Sequence, residues 1–228
     1  MNIETIENKE FKEKELIMKA TTRRICADFE CFQNEHGQIV KEFGSVEIKG
    51  FGNDSACINN SQQDSCPTVT LPYGHRIISH FIFGPPHSSD KLAEKWKRVN
   101  QWIVANLHGI GWADGQVDYV ELEHIVRRVI GAQTVVFTKG QEKCALLAKI
   151  LNEPSVTIIN IEELGMPRIV DLPVPFIIYC CWYHSAVFRG MATKNHCALG
   201  KADIYAQWLL DNHQNLEDAC NKSSKRLI

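Results

Sequence analysis

The chain has 228 residues, with 25 Lys and Arg against 27 Asp and Glu, a formal charge of −2 and 44% hydrophobic residues. That balance excludes a strongly basic protein that coats nucleic acid through net charge, so any phosphate contact must be local. No run approaches the roughly 18 apolar residues of a membrane-spanning helix, and residues 1–22 are dense in Glu and Lys, without the apolar stretch of a secretory signal. The expected setting is intracellular, cytoplasmic or nuclear, with no membrane. There the nine cysteines are expected to be free, buried or metal-bound, and their odd number leaves at least one over in any disulfide scheme.

Residues 1–22 read as a charged leader, flexible or helical, residues 23–213 as one domain and 214–228 as a flexible tail. Residues 24–32 are apolar and aromatic, Asn34-Glu35-His36-Gly37 is a turn signal, and 39–50 alternates like a strand, which together predict a hairpin. Residues 51–72 are rich in Asn, Ser, Gln and Gly and read as a loop insertion. A third strand over 75–83 is stopped by Gly84-Pro85-Pro86, completing a three-stranded meander. Asp90 is placed to cap a helix carrying Leu92, Trp96, Val99, Ile103 and Leu107, and 119–130 repeats the pattern through Val120, Leu122, Ile125, Val126 and Val129. These two helices are expected to cover one face. A β-branched run at 134–138, an apolar helix at 141–151 and a second run at 156–161 make a βαβ unit. An irregular segment with Cys180, Cys181 and His184 then leads to a terminal helix over 198–212, with Leu199, Ala202, Tyr205, Ala206, Leu209 and Leu210 inward.

On a strand Asp28 and Glu30 point to one side, because side chains alternate with period two, so both carboxylates could face one divalent ion. The plainer reading is a pair of acids at the end of an ordinary strand, although Ile25, Cys26, Phe29 and Phe32 make an apolar setting in which unpaired charge is costly. Cys181 and His184 form a Cys-x-x-His pair, a spacing that lets two ligands from one turn reach one zinc ion; buried thiols and a surface histidine are the alternative. Lys139-Gly140 with Lys143 at a helix start could hold a phosphate or simply be solvated. Trp182 is the tryptophan free to stack on a base, since Trp96 and Trp208 lie on or near apolar faces.

The order of elements, with an acidic pair on the first strand, resembles the RNase H-like fold of the DEDDh family of 3′–5′ exonucleases. Asp28-Phe29-Glu30 resembles that family's first motif, Glu42-Phe43-Gly44-Ser45-Val46 its acidic stretch on the second strand, and His108-Gly109-Ile110 its segment before the second helix. His196-Cys197-Ala198-Leu199-Gly200-Lys201-Ala202 is similar to its closing motif, in which an Asp stands five positions after the His; here that position is Lys201, and Asp203 lies two further on. The resemblance implies an α/β fold, an RNase H-like mixed sheet of a meander plus parallel strands flanked by helices. An active site on it would use Asp28, Glu30, Glu142, His196 and Asp203 with magnesium or manganese. Lys201 would instead repel such an ion and could pair with Asp28.

The Maelstrom domain is similar to these exonucleases in fold, lacks most of their acids and carries a Glu-Cys-His-Cys zinc site. Glu42, Cys181, His184 and Cys197 match that site in order, a resemblance covering about residues 24–212. It implies a structural zinc tying the second strand to the terminal helix, whose N-terminal end would favour the Cys197 thiolate. The function so implied is an exonuclease-derived module that binds RNA or a protein partner without two-metal catalysis. Lys139, Lys143, Trp182 and Lys201 are then candidate contacts for single-stranded RNA or DNA. The alternatives are a working exonuclease and a pure protein-interaction module. The chain also resembles insect proteins of mobile-element or viral origin, which share the Pro-Pro-stopped strand, the Lys139-Gly140 turn and the Cys-x-x-His pair.

Overall fold

The computed structural model describes residues 23–48, 70–71, 74–172, 181–187 and 197–212. The expected leader and the expected flexible tail, nearly all of the 51–72 insertion, Cys180 and His196 lie outside the described residues.

Strands β1 (Arg23–Asn34) and β2 (Gly37–Ile48) form the expected hairpin. Gly37 closes its turn at φ 118°, a conformation that glycine adopts without the clash a Cβ would bring. The two-residue strand β3 (Thr70–Leu71) pairs with the start of β4 (Gly74–Ile82), which runs antiparallel to β2. The meander therefore carries a short extra strand on its outer edge.

The helix expected from Asp90 begins later. Ser88 accepts the Asp90 N–H and caps a 3-10 turn, Ser89–Lys91, and helix α1 (Glu94–Asn106) starts only after Leu92 and Ala93 have passed in extended form. Helix α2 (Leu122–Ile130) likewise follows a 3-10 turn, Tyr119–Glu121, capped by Asp118. That turn leaves Val120 exposed rather than inward.

Strand β5 (Thr134–Thr138), buried throughout, runs parallel to β1. Helix α3 (Gln141–Leu151) crosses over to β6 (Thr157–Asn160), parallel to β5, and Ile161 opens a 3-10 turn instead of prolonging the strand. Helix α4 (Trp182–Val187) is short, and α5 (Ala198–Asn212) has the bounds its sequence pattern predicts.

The sheet order is β3-β4-β2-β1-β5-β6, an antiparallel meander continued by two parallel strands. This is the α/β architecture the sequence predicts, a mixed sheet of a meander plus parallel strands flanked by helices.

Alternation along β1 distributes the core. Ile25, Ala27 and Phe29 pack with α2 and α3 on one face, and Cys26 packs under α5 on the other, beside Val46, Phe137, Ala202 and Tyr205. The expectation that α1 and α2 jointly cover one face is corrected: α2 pairs with α3, and α1 closes the far end of β1 in a cluster of Phe32, Ile39 and Ile103. Asn100 of α1 fixes that end by bonding both the N–H and the carbonyl of Gln33, each at 2.9 Å. Among the described residues no helix is long and apolar enough to cross a membrane.

Candidate metal centre and the acidic pair beside it

Strand register assembles the site. Glu30 lies opposite Glu42 and Asp28 opposite Gly44 across the β1–β2 pair, and His80 of β4 lies opposite Gly44 on its other side. Opposed residues share a face, so Asp28, Glu30, Glu42 and His80 belong to the side covered by α5. Gly44 makes the cover possible, because a Cβ there would fall on the backbone of Leu199 and Ala198. A bulge after Glu30 leaves Lys41 without a counterpart on β1. The Lys41 ammonium is buried and donates to the carbonyl oxygens of Phe83 and Asp114, each at 2.6 Å, and Trp112 at 3.1 Å. Burial lowers its pKa to about 8.

Glu42, Cys181, His184 and Cys197 are all buried, and their ligand atoms lie within 4.8 Å of one another, a cluster that could hold a metal ion. Cys181 and His184 come from the start of α4, with Sγ 3.0 Å from Nδ1, and Cys197 immediately precedes α5. The backbone N–H of His184 points at the Cys181 sulfur and that of Gly200 at the Cys197 sulfur, both at 3.4 Å. The other ring nitrogen of His184, Nε2, lies 2.7 Å from the carbonyl oxygen of His108, which as an acceptor assigns the proton to Nε2 and leaves Nδ1 as the ligand atom. Burial disfavours the His184 cation, yet Cys197 and Glu42 hold its pKa above the ordinary value.

Glu42 Oε1 is the point of convergence. It lies 2.6 Å from His80 Nε2, 3.4 Å from Cys197 Sγ, 3.5 Å from His184 Nδ1 and 3.9 Å from Cys181 Sγ. Its second oxygen accepts the Ala198 N–H at 2.9 Å, so the carboxylate also caps α5. Burial opposes the charge, but the His80 hydrogen bond and the His184 ring hold the Glu42 carboxyl below its usual range. Two thiols, an imidazole and a carboxylate, closed off from solvent, suit a four-coordinate divalent ion.

One turn further along α5 the acidic pair is filled by cations. Lys201 Nζ is 2.5 Å from Glu30 Oε1 and 3.8 Å from Asp28 Oδ2, while Lys143 of α3 donates to Asp28 Oδ1 at 2.6 Å. Tyr205 OH donates to the same Asp28 oxygen at 3.1 Å. Cys197, Lys201 and Tyr205, four residues apart, thus meet Glu42, Glu30 and Asp28 in turn. Burial pushes the Glu30 carboxyl up to about 7 against the pull of Lys201 and Lys143. Burial also opposes the Lys201 charge, but Glu30 and Asp28 raise its pKa above the ordinary lysine value.

No protein-family profile matches the chain, and no curated protein does. Among solved structures it is similar to E. coli exonuclease I in complex with a dT13 oligonucleotide, at 8% identity and a TM-score of 0.49, covering 87% of this chain and 43% of that one. It is also similar to the zinc-ion-bound form of the E. coli ExoI–ssDNA complex, at 11% identity and a TM-score of 0.45, covering 87% and 42%. The chain spans less than half the length of either.

The remaining expected residues do not join the acidic pair. Glu142 is exposed in the first turn of α3, and it is its neighbour Lys143 that reaches Asp28. Asp203 is buried against Arg76 of β4, with which it forms a short ion pair, and accepts from Gln207 at 2.6 Å. Lys139 donates to Glu162 at 2.9 Å and to the Met166 carbonyl at 3.3 Å, and the Gly140 N–H donates to Asn160 at 3.0 Å, so the candidate phosphate cradle is engaged internally. Trp182 is 60% exposed with its ring against Tyr183. His196 is outside the described residues. Two residues went unassigned as site members in the sequence: Tyr205, whose spacing from Lys201 was a usable signal, and His80, which only strand register reveals.

Proposed function

We propose that this chain is a zinc-stapled, RNase H-like module, Maelstrom-like in its metal site, that binds single-stranded RNA inside the cell without hydrolysing it. The observation that carries this reading is that Asp28 and Glu30 are already bonded to Lys143 and Lys201. Two-metal phosphodiester hydrolysis needs carboxylates from several elements to hold ions roughly 3.5–4 Å apart. Here two ammonium groups sit on the two acids, and Asp203 is held by Arg76. An active exonuclease using magnesium or manganese would require both lysines to withdraw.

Zinc is the ion favoured by two thiolates, an imidazole and a carboxylate in a closed site. Glu42, Cys181, His184 and Cys197 would hold it, and its role would be to fasten α4 and the start of α5 to β2. A single-stranded nucleic acid as ligand is supported by the exposed indole of Trp182, adjacent to Cys181. Stacking of a base on an aromatic ring is worth about 1–3 kcal/mol.

Three measurements on the untagged full chain test this. Elemental mass spectrometry is expected to find one zinc per chain, lost in Cys181→Ala and in Cys197→Ala; no zinc in the wild type sinks the staple. Fluorescence anisotropy with labelled single-stranded RNA is expected to show binding that weakens steeply with salt; no binding transfers the role to a protein partner. RNA incubated with magnesium or manganese is expected to stay intact, and degradation abolished by Asp28→Ala would restore the exonuclease.

A further inference from the structure

We infer that His80 is a positioning residue of the metal centre, fixing the Glu42 carboxylate so that its Oε1 faces the ion. This rests on reading Glu42, Cys181, His184 and Cys197 as a metal site. Those four donors are mutually within 4.8 Å, the number that a tetrahedral zinc site takes, and His80 is outside the group. His80 Nε2 is instead 2.6 Å from Glu42 Oε1, the oxygen to which both sulfurs and His184 Nδ1 are turned. A nitrogen that donates its proton to the carboxylate has no lone pair left for the metal.

The need for such a residue follows from the chain. Of the four donors only Glu42 comes from the sheet, and it reaches the cluster on a flexible side chain with several rotatable bonds. Two tethers orient its carboxylate: the Ala198 N–H holds Oε2, and His80 holds Oε1. His80 lies opposite Gly44 and so diagonal to Glu42 on this face, and Gly44 has no side chain to occupy the space beside the His80 ring. The His80 ring is itself nearly buried, so water competes poorly for its proton.

Partners that orient a ligand typically contribute 10–100-fold to metal affinity. Zinc affinity of the full chain would be measured by competition with a fluorescent chelator for the wild type, His80→Phe and His80→Gln. The phenylalanine variant is expected to bind zinc 10–100-fold more weakly. The glutamine variant, whose amide can still donate to Glu42, is expected to stay within about threefold of the wild type. Cobalt(II) substituted for zinc gives a second readout: wild type and His80→Gln should share one visible spectrum, with His80→Phe displaced from it.

Unchanged affinity in His80→Phe overturns the inference. Equal losses in both variants overturn it as well, because a residue that itself ligates the metal is not replaced by glutamine. If His80→Phe does not fold, His80→Asn, too short to reach Glu42, carries the same expectation. A wild type without zinc overturns the metal reading and the inference with it, whereas zinc binding indifferent to residue 80 overturns the inference alone.

Discussion

A lysine between two buried carboxylates removes the vacancy that a divalent ion would need. Lys201→Ala is expected to destabilise the protein by about 3–5 kcal/mol, since it strips Glu30 of its partner in a buried setting. Combining it with Glu30→Gln should recover much of the loss, a coupling that urea denaturation of the two single variants and the double would measure. Part of this arrangement was legible. Lys201 stood out where an acid was expected, and a pairing with Asp28 could be anticipated; the structure places the ammonium nearer Glu30. The donor types of Glu42, Cys181, His184 and Cys197 were also readable in order. Tyr205 read only as core, because periodicity says which way a ring faces but not where its hydroxyl ends. Asp203 read as an acid two places from its usual position, but a two-residue step around a helix turns it toward Arg76.

At the scale of elements, the contact between β2 and α5 decides whether the site forms. Gly44→Ala would push a methyl group into the backbone of Leu199 and Ala198, which cannot rotate away as a side chain can. The expected cost is about 2–3 kcal/mol. The same variant should also bind zinc more weakly, because lifting the start of α5 moves Cys197 from Glu42; denaturation and chelator competition would check the two effects. The bounds of α5 were visible in the sequence as a long apolar repeat. The start of α1 was not, because Ser88 and Asp90 are both good caps and the local chemistry of a 3-10 turn resembles that of a helix start. The placement of α1 also escaped, since an apolar stripe shows that a helix is covered but not by which surface; the Asn100 clamp on Gln33 is what fixes it.

For the whole molecule, the change of hydrophobic period from strand to helix made the topology readable in advance, and the described residues follow it from β1 to α5. Chelating the metal should act on this entire unit, because the ion would join segments remote in sequence. Ligand at about 100 times its Kd stabilises by about 2.7 kcal/mol. For a domain of this size the chelator is expected to lower Tm by roughly 5–10 °C, read by calorimetry with and without added zinc. The row of Cys197, Lys201 and Tyr205 has a last consequence, for alignment. Four residues of helix advance about 6 Å, close to the step from one acid to the next across and along the strands. If α5 slid by one turn toward Asp28, the Cys197 thiol would leave Glu42 and face Glu30; if it slid the other way, the Lys201 ammonium would face Glu42 and leave Glu30 to the Tyr205 hydroxyl, so either slide breaks the match of donor to acid. The row works as a key with three different teeth, and it admits α5 in one register.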